Sequence, residues 1–130
     1  MKPVAVDTNV LVRLATGDNA IEHQAAVDSL AAHPWRVFPT VILETEWVLR
    51  SVYRFSPAQF ADFVEWMDAC GRIALVRADT VRAALVHHRA GMDFADALHL
   101  AQTDGERFLT FDKALRKQAD KLGLNVETVA

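Results

Sequence analysis

Short apolar runs alternate with longer segments of helical spacing along the whole chain. The runs of strand length lie at residues 4–6, 37–38, 73–76, 108–111 and 126–129. Between them, the spacing predicts about seven helices, one from about residue 10 and the others at 20–32, 40–53, 57–70, 79–90, 93–105 and 113–122. Strands that alternate with helices are typical of an α/β fold, so we expect a mainly parallel sheet of four to five strands with right-handed crossovers.

Local signals mark several helix ends. Asn19 and Thr40 are placed to cap two of the helices, and Ser56 followed by Pro57 marks the start of a third. Glycines follow four of the predicted helices, at positions 71, 91, 105 and 123. These signals make the helix assignments more specific than spacing alone.

Two acidic residues directly follow predicted strands, and two others open a predicted helix. Asp7 directly follows the first strand and Asp112 the fourth, while Asp93 and Asp96 open the helix before the fourth strand. Parallel sheets bind ligands just outside the carboxyl ends of their strands. Asp is also a favoured helix cap worth about 1 kcal/mol, and Asp93 with Asp96 resembles a capping box. Capping and chemistry both remain open for these residues taken singly.

Glu44 has no capping role to explain it. It lies in mid-helix, three residues after Val41 and four before Val48, and we expect the face that they share to be buried. Glu46 lies on another face and is expected to be solvated. A buried, unpaired carboxylate would cost several kcal/mol or become protonated. Glu44 therefore needs a cationic partner, either an arginine or a metal ion.

The acids taken together favour a metal ion. If the first and fourth strands are neighbours, Asp7 and Asp112 converge at one edge of the sheet, where Asp96 and Glu44 can join them. Four ionised carboxylates cannot share a cleft without positive charge, because their repulsion would raise their pKa values. Ligands that are all oxygen suit a hard cation such as Mg²⁺ or Mn²⁺, and Mg²⁺ keeps bound water that hydrolysis can use.

Composition is consistent with one globular domain over residues 1–130. Hydrophobic residues make up 52% and charged residues 24%, and no segment approaches the roughly 18 apolar residues of a membrane span. The start of the chain lacks a signal-peptide pattern and the single Cys70 cannot form an internal disulfide, so we expect a cytoplasmic protein. The net charge of −3 argues weakly against a nucleic-acid partner, unless the acids hold a cation.

Four motifs occur in a fixed order, VAVDTNVLVRL, LETEWVL, DFADALHLA and FLTFDKAL. In this order they resemble the PIN-domain ribonucleases, and most of all the VapC-type toxins of bacterial and archaeal toxin–antitoxin pairs. The resemblance covers essentially the whole chain. Each motif is weak alone, because Asp-Thr-Asn occurs by chance, but the ordered set is specific.

The resemblance implies a PIN-like three-layer fold and cleavage of RNA that depends on Mg²⁺ or Mn²⁺. The family's catalytic, metal-binding acids map onto Asp7, Glu44, Asp96 and Asp112. Asp93 is either an accessory acid or a helix cap. The supporting positions beside the acids are Thr8, Asn9 and Thr110.

The resemblance also implies partners. These are an RNA substrate, a second copy of the chain, and a small VapB-type antitoxin that inhibits the active site within a larger assembly. Three Trp and seven Phe in the chain suggest that some apolar surface meets a partner. The predicted RNA-binding residues are Arg13, Lys113, Arg116 and Lys117, with Lys121 on the same basic side of the last helix, although a solvated helix face explains that side equally well.

His99, three residues after Asp96, is either a metal ligand or, more commonly at such positions, a packed histidine.

Three other functions remain to be weighed. One is a PIN enzyme that processes RNA without an antitoxin, which the absence of a short antitoxin gene upstream would favour. Another is a receiver-like signalling domain that binds Mg²⁺, but a receiver would show an acidic pair after its first strand, where this chain has Asp7 alone. The last is a catalytically silent interaction domain, against which the retention of all four acids counts.

Overall fold

A computed structural model describes residues 2–130, which form seven α-helices and five β-strands. The strands are β1 (Val4–Ala5), β2 (Trp35–Val37), β3 (Ile73–Leu75), β4 (Phe108–Thr110) and β5 (Val126–Thr128). The helices are α1 (Thr8–Thr16), α2 (Ala20–Ala32), α3 (Pro39–Ser51), α4 (Pro57–Ala69), α5 (Ala78–Arg89), α6 (Phe94–Gln102) and α7 (Lys113–Lys121). All strand pairs are parallel, so the predicted α/β class and the parallel pairing are confirmed. Within residues 2–130, no helix has the length and apolar character needed to cross a membrane.

The described chain divides into two compact units, a first unit that ends at Ala78 and a second unit, Asp79–Ala130. In the first unit the strands pair in the order β1-β2-β3, with Trp35 opposite Val4 on one side and Ile73 on the other. Helix α1 packs against α2 and α3, and α4 packs against β3. The core of this unit is formed mainly by Leu11, Trp35, Val37, Ile42, Leu49, Phe60, Val64 and Met67.

The second unit contains the parallel pair β4 and β5, with Phe108 opposite Val126. Helix α7 packs against both strands. The buried apolar residues of this unit include Val81, Leu85, Phe94, Leu98, Leu115 and Val126.

The five strands lie in a three-stranded and a two-stranded sheet instead of the single sheet that we expected. Pairing between the first and fourth strands, on which the expected convergence of the acids depended, is not among the ladders of residues 2–130. Strand partners are set by contacts distant in sequence, which periodicity does not encode.

The cap signals read from the sequence are confirmed where they are local. The Asn19 side chain accepts a hydrogen bond from the Glu22 backbone N–H at 3.0 Å. Ser56 Oγ accepts the Gln59 N–H at 3.1 Å, and Gln59 Oε1 accepts the Ser56 N–H at 2.8 Å, which completes a capping box at the start of α4. Each of these bonds joins residues three apart, so sequence alone is sufficient to find it.

Other boundaries differ from the prediction. The residue that precedes α3 is Phe38, with extended backbone, and Pro39 is the first helical residue, so Thr40 lies inside the helix and does not cap it. Strand β2 accordingly ends at Val37 and begins earlier than expected, at Trp35. Helix α6 ends at Gln102, before Gly105. Proline fixes the start of α3 because its ring presets a helical φ and its missing N–H is not needed there.

The buried face of α3 is also different from the one predicted. Its buried residues are Ile42, Thr45, Glu46 and Leu49. Glu46 is only 3% exposed and its Oε2 accepts a hydrogen bond from Arg50 Nε at 2.9 Å, whereas Glu44 is exposed. The expectations of a buried Glu44 and a solvated Glu46 were therefore wrong. Two of the inward positions carry polar side chains, so the hydrophobic pattern pointed to the wrong face of the helix.

Candidate functional site

Asp7 caps α1 and keeps one carboxylate oxygen available. Its backbone is extended, and its Oδ1 accepts a hydrogen bond from the Thr8 backbone N–H at 2.8 Å. In the described part of the first unit, no donor reaches Oδ2 and no cationic side chain pairs with this carboxylate. The capping interpretation is confirmed, and it leaves a charged oxygen for another ligand.

The Thr8 side chain joins α1 to α3. Thr8 is 6% exposed, and its hydroxyl donates a hydrogen bond to Oε1 of Glu44. Among the described residues of the first unit, the other carboxylate oxygen of Glu44 accepts no hydrogen bond. Glu44 is therefore fixed in position next to Asp7 although it lies on an exposed face of its helix.

A cleft of about 370 Å³ lies in the first unit beside these residues. Its lining consists of Asp7, Thr8, Asn9, Val12, Arg13, Glu44, Val48, Val52 and Tyr53. The two first-unit acids predicted from the sequence thus share a cleft with two of the predicted supporting residues, Thr8 and Asn9. We call Asp7 and Glu44 the first acidic pair.

Arg13 lines the same cleft, but other carboxylates already bind its guanidinium. Nε pairs with Glu22 at 3.0 Å, and Nη1 pairs with Asp18 at 3.0 Å and donates to the Tyr53 hydroxyl oxygen at 3.2 Å. The hydrogen bond with Tyr53, and after it the negative charges of Asp18 and Glu22, raise the pKa of Arg13. Contact of Arg13 with RNA stays a prediction. Two carboxylates, those of Asp18 and Glu22, already compensate most of its positive charge.

In the second unit, two aspartates cap helices as Asp7 does. Asp93 Oδ2 accepts the Asp96 N–H at 3.2 Å at the start of α6, and Asp112 Oδ1 accepts the Leu115 N–H at 3.0 Å at the start of α7. The Asp96 side chain does not return the bond in the described second unit, so the resemblance to a capping box is only half realised. Each capping aspartate again leaves one oxygen free, and Asp96 leaves both.

The electrostatics of Asp96 show that these carboxylates repel one another. Burial raises the pKa of Asp96, the nearby charges of Asp93 and Asp112 raise it further, and His99 lowers it. Like charges have this effect because the second ionisation must occur in the field of the first. We call Asp93, Asp96 and Asp112 the second acidic group.

The second acidic group faces a cleft of about 580 Å³ within the second unit. Lys117 and Lys121 also line this cleft, so its walls carry both negative and positive side chains. The lining residues are Ala90, Asp93, Asp96, Asp112, Ala114, Leu115, Lys117, Gln118, Lys121 and Leu122. Two of the other predicted RNA-binding cations, Lys113 and Arg116, are exposed and are not part of this lining.

Neighbouring residues hold the second acidic group in place. The hydroxyl oxygen of Thr110 accepts the Asp112 backbone N–H at 3.0 Å, which orients the turn between β4 and α7. His99 is exposed, and its ring stacks on Phe108 with centroids 6.5 Å apart. Thr110 thus holds the backbone at Asp112, and its supporting role in the reaction stays a prediction, while the stacking of His99 favours the structural interpretation of this histidine.

The donor set fits a hard cation held partly through water. Carboxylate oxygens without cationic partners are the preferred ligands of Mg²⁺ and Mn²⁺. Within residues 2–130, however, no three His, Cys, Asp or Glu side chains come together closely enough to hold a metal ion by themselves. Mg²⁺ commonly binds through one or two carboxylates and keeps several waters, so this arrangement is compatible with it.

Comparison with known protein families decides which fold family this is. The profile of the PIN domain matches residues 4–121 of the chain. The chain belongs to the PIN domain family. No curated protein sequence matches it.

Membership in the PIN domain family restricts the reactions that this chain is expected to catalyse. PIN domains are generally metal-dependent nucleases, and PIN nucleases act on RNA. This PIN domain is accordingly expected among the nucleases of that superfamily, and the receiver-like alternative is not supported. The resemblance read from the four ordered motifs is confirmed at the level of the family.

From the sequence, Tyr53 of this PIN domain had no assigned site role, and Lys121 was placed only on the basic side of the last helix. Tyr53 lines the first cleft, and its hydroxyl donates to Asp18 at 2.8 Å, a contact between residues 35 positions apart that no local pattern reveals. Lys121 lines the second cleft one helical turn after Lys117. The spacing of four residues between these lysines was the available signal, since residues so spaced share a helix face.

Proposed function

We propose that this PIN domain is an endoribonuclease that depends on Mg²⁺ or Mn²⁺ and acts as the toxin of a toxin–antitoxin pair. It would hydrolyse phosphodiester bonds of RNA in the cytoplasm. The catalytic acids would be Asp7, Glu44, Asp96 and Asp112, and Asp93 would serve as an accessory acid.

The observation that carries the proposal is the second acidic group. Its members lie close enough for Asp93 and Asp112 to raise the pKa of Asp96, and no cationic side chain of the described second unit forms an ion pair with any of the three. A fold keeps such repulsion at a cost in stability, and a cleft carboxylate whose pKa is raised by burial and by neighbouring like charges is typical of functional sites. The first acidic pair is likewise unpaired within its own unit.

When bound, a divalent cation supplies a Lewis acid for the phosphate and lowers the pKa of a coordinated water. The residues that would hold such ions are those with free carboxylate oxygens, Asp7 and Glu44 in the first unit and the second acidic group in the second. Capping does not compete with this role, because each capping aspartate uses only one oxygen on the backbone.

The residues around the acids would position them. Thr8 holds the Glu44 carboxylate through its hydroxyl, and Thr110 holds the backbone of Asp112. Asp112 would complete the ligand set or orient the attacking water with its second oxygen. Preorganised positions of this kind matter because hydrolysis needs the water and the phosphate in a near-attack geometry.

We also propose that both units belong to one PIN domain and that both sets of acids serve the same reaction. The support is that a single family profile matches continuously across the boundary at Ala78. The order of the four sequence motifs, two in each unit, is consistent with this. Loss of activity on substitution of an acid in either unit is the expected result.

The toxin role rests on the resemblance of the ordered motifs to VapC-type toxins. It implies a VapB-type antitoxin that blocks the active site, a homodimer, and a larger assembly of the two proteins. The alternative within the family is a PIN nuclease that processes RNA without an antitoxin. The two differ in whether expression arrests growth and whether a neighbouring gene relieves the arrest.

Substitution of aspartate by asparagine tests the nuclease directly. Asparagine caps helices as well as aspartate does, so Asp7→Asn and Asp112→Asn keep the cap and remove the charge. We expect each to lower the rate of RNA cleavage in Mg²⁺ by on the order of 10- to 100-fold or more, without lowering the thermal unfolding midpoint. The control is Asp28→Asn on α2, an exposed acid whose Oδ1 accepts a hydrogen bond from Gln24. Full cleavage by Asp7→Asn would exclude the mechanism.

Induced expression tests the toxin role separately. We expect growth arrest with new RNA 5′ ends, relief of the arrest when the adjacent small gene is co-expressed, and no arrest with Asp7→Asn. Cleavage of RNA by the purified protein without growth arrest would instead favour the processing enzyme.

A further inference from the structure

Helix α7 places two lysines at the rim of the cleft that contains the second acidic group. Lys117 and Lys121 are one helical turn apart and both line the cleft together with Asp93, Asp96 and Asp112. Residues four apart on a helix lie about 5–6 Å from each other at Cβ, so the two ammonium groups can reach the same ligand. The cleft therefore presents carboxylates and a pair of cations to the same space.

Neither lysine takes part in the ion pairs that connect other charged residues of this unit. Within the described second unit, neither ammonium group forms an ion pair or a hydrogen bond. Other cations of the unit do have carboxylate partners, with Arg116 3.9 Å from Asp120 and Arg107 hydrogen-bonded to Glu127. Unpaired cations on one wall of an acidic cleft remain available to an anionic ligand.

Helix-end electrostatics explain only part of the arrangement. A lysine in the last turn is stabilised by the helix dipole, which accounts for a cation near the position of Lys121 along the axis. It does not account for Lys117 in mid-helix, nor for the fact that both side chains line the cleft. Lys113, which begins the same helix, is exposed and does not line it.

We propose, resting on the proposed nuclease function, that Lys117 and Lys121 together bind a backbone phosphate of the RNA strand next to the phosphate at the second acidic group. An RNA strand that approaches three carboxylates meets repulsion, and cations beside them offset that repulsion. The cleft volume of about 580 Å³ is in the range of small-ligand sites and is sufficient for part of one strand. The two lysines are binding and positioning residues that do not touch the reacting water.

The proposal divides the basic residues predicted from the sequence by whether they contact the substrate at this cleft. Lys117 and Lys121 act on the substrate at the acidic cleft, whereas Lys113 and Arg116 lie outside its lining. Recognition through phosphates is independent of base sequence, so the pair sets the register of the strand and not the choice of bases.

RNA binding measured without cleavage tests this assignment. We propose fluorescence anisotropy with a short labelled single-stranded RNA of mixed sequence, in Ca²⁺, at several salt concentrations. Lys117→Gln and Lys121→Gln are each expected to weaken binding roughly three- to tenfold and to reduce the salt dependence of log K by about 0.7 per lysine. Lys117→Arg should restore binding, because it keeps the charge. The matched control in the same unit is Arg107→Gln, at a cation that is hydrogen-bonded to Glu127 and was not predicted to bind RNA, and it should change binding less than twofold.

The outcomes separate this inference from the proposed function. Equal binding by wild type, Lys117→Gln and Lys121→Gln would overturn the inference, even if RNA is cleaved. No binding of RNA by the wild-type protein would overturn it as well. Weakened binding in both lysine variants with no cleavage by the wild type in Mg²⁺ or Mn²⁺ would support the phosphate site and refute the nuclease proposal. In cleavage assays, the lysine variants should raise KM more than they lower kcat.

Discussion

The hydroxyl of Thr8 donates a hydrogen bond to Oε1 of Glu44 and thereby connects the start of α1 to the middle of α3. Thr8 follows Asp7 directly and its backbone N–H donates to Asp7 Oδ1, so one buried residue contacts both members of the first acidic pair. The carboxylate of Glu44 would otherwise be free to move on the exposed face of its helix. This contact makes Thr8 a structural determinant of the site without giving it a chemical role.

Replacing Thr8 by valine should show how much of its role depends on the hydroxyl group and how much on the shape of the side chain. Thr8→Val keeps the branched shape but leaves Glu44 without its donor, so we expect RNA cleavage to fall by about tenfold or more. The free energy of unfolding should drop by about 1–2 kcal/mol. Cleavage assays and urea unfolding measure the two effects. Thr8→Ser, which retains the hydroxyl, should keep most of the activity, and equal losses in the two variants would contradict the role of the hydrogen bond.

Glu44 and Glu46 should respond in opposite ways to the same substitution. Glu44→Gln removes an exposed charge from the first acidic pair, so we expect cleavage to fall at least tenfold with little change in stability. Glu46→Gln weakens a partly buried hydrogen bond to Arg50 and should lower the free energy of unfolding by about 1–2 kcal/mol, with normal cleavage per folded molecule. Paired activity and denaturant measurements decide this. A stability loss in Glu44→Gln and an activity loss in Glu46→Gln would reverse the assignment.

The raised pKa of Asp96 predicts how metal-free stability depends on pH. The ordinary pKa of aspartate is 3.8, and the folded state binds this proton more tightly than the unfolded state does. The stability that protonated Asp96 contributes is therefore fully present below the ordinary pKa. It is lost as pH rises through the raised pKa of the folded state, and it stays lost at neutral pH. Asp96→Asn removes the buried charge and should raise the neutral-pH Tm in chelator.

The measurement for Asp96 is thermal unfolding across pH, with and without Mg²⁺. The difference in Tm between Asp96→Asn and wild type should shrink as pH falls below the ordinary pKa, where both side chains are neutral. Mg²⁺ should raise the Tm of wild type more than that of the variant, since only wild type gains a partner for the charge. A variant less stable than wild type at neutral pH in chelator would show that Asp96 is structural.

The capping box of α4 is predicted to affect stability alone. Ser56→Ala removes the acceptor of the Gln59 N–H and should lower the free energy of unfolding by about 1 kcal/mol. Cleavage of RNA at a temperature where the protein stays folded should not change. Ser56→Thr, which can make the same bond, is the control, and a loss of cleavage in Ser56→Ala would indicate coupling between α4 and the site.

Local interactions account for most of what could be predicted. Caps such as Asn19, and the pair Ser56 and Gln59, are visible in sequence because donor and acceptor are three residues apart. Asp7, Asp93 and Asp112 were likewise expected at helix starts and are found there, because each caps a backbone N–H no more than three residues away. The alternation of strands and helices likewise predicted the α/β class.

The sequence by itself determined the order of the helices, most of their caps and the acids that stand at helix starts, because these depend on hydrogen bonds between near neighbours. Only the tertiary structure decided that Glu46 and not Glu44 is buried, that the strands pair in two sheets, and that Lys117 and Lys121 line the second cleft. Burial and strand pairing depend on which distant segment supplies the other surface. A polar side chain in a core position looks, in sequence, the same as one in water.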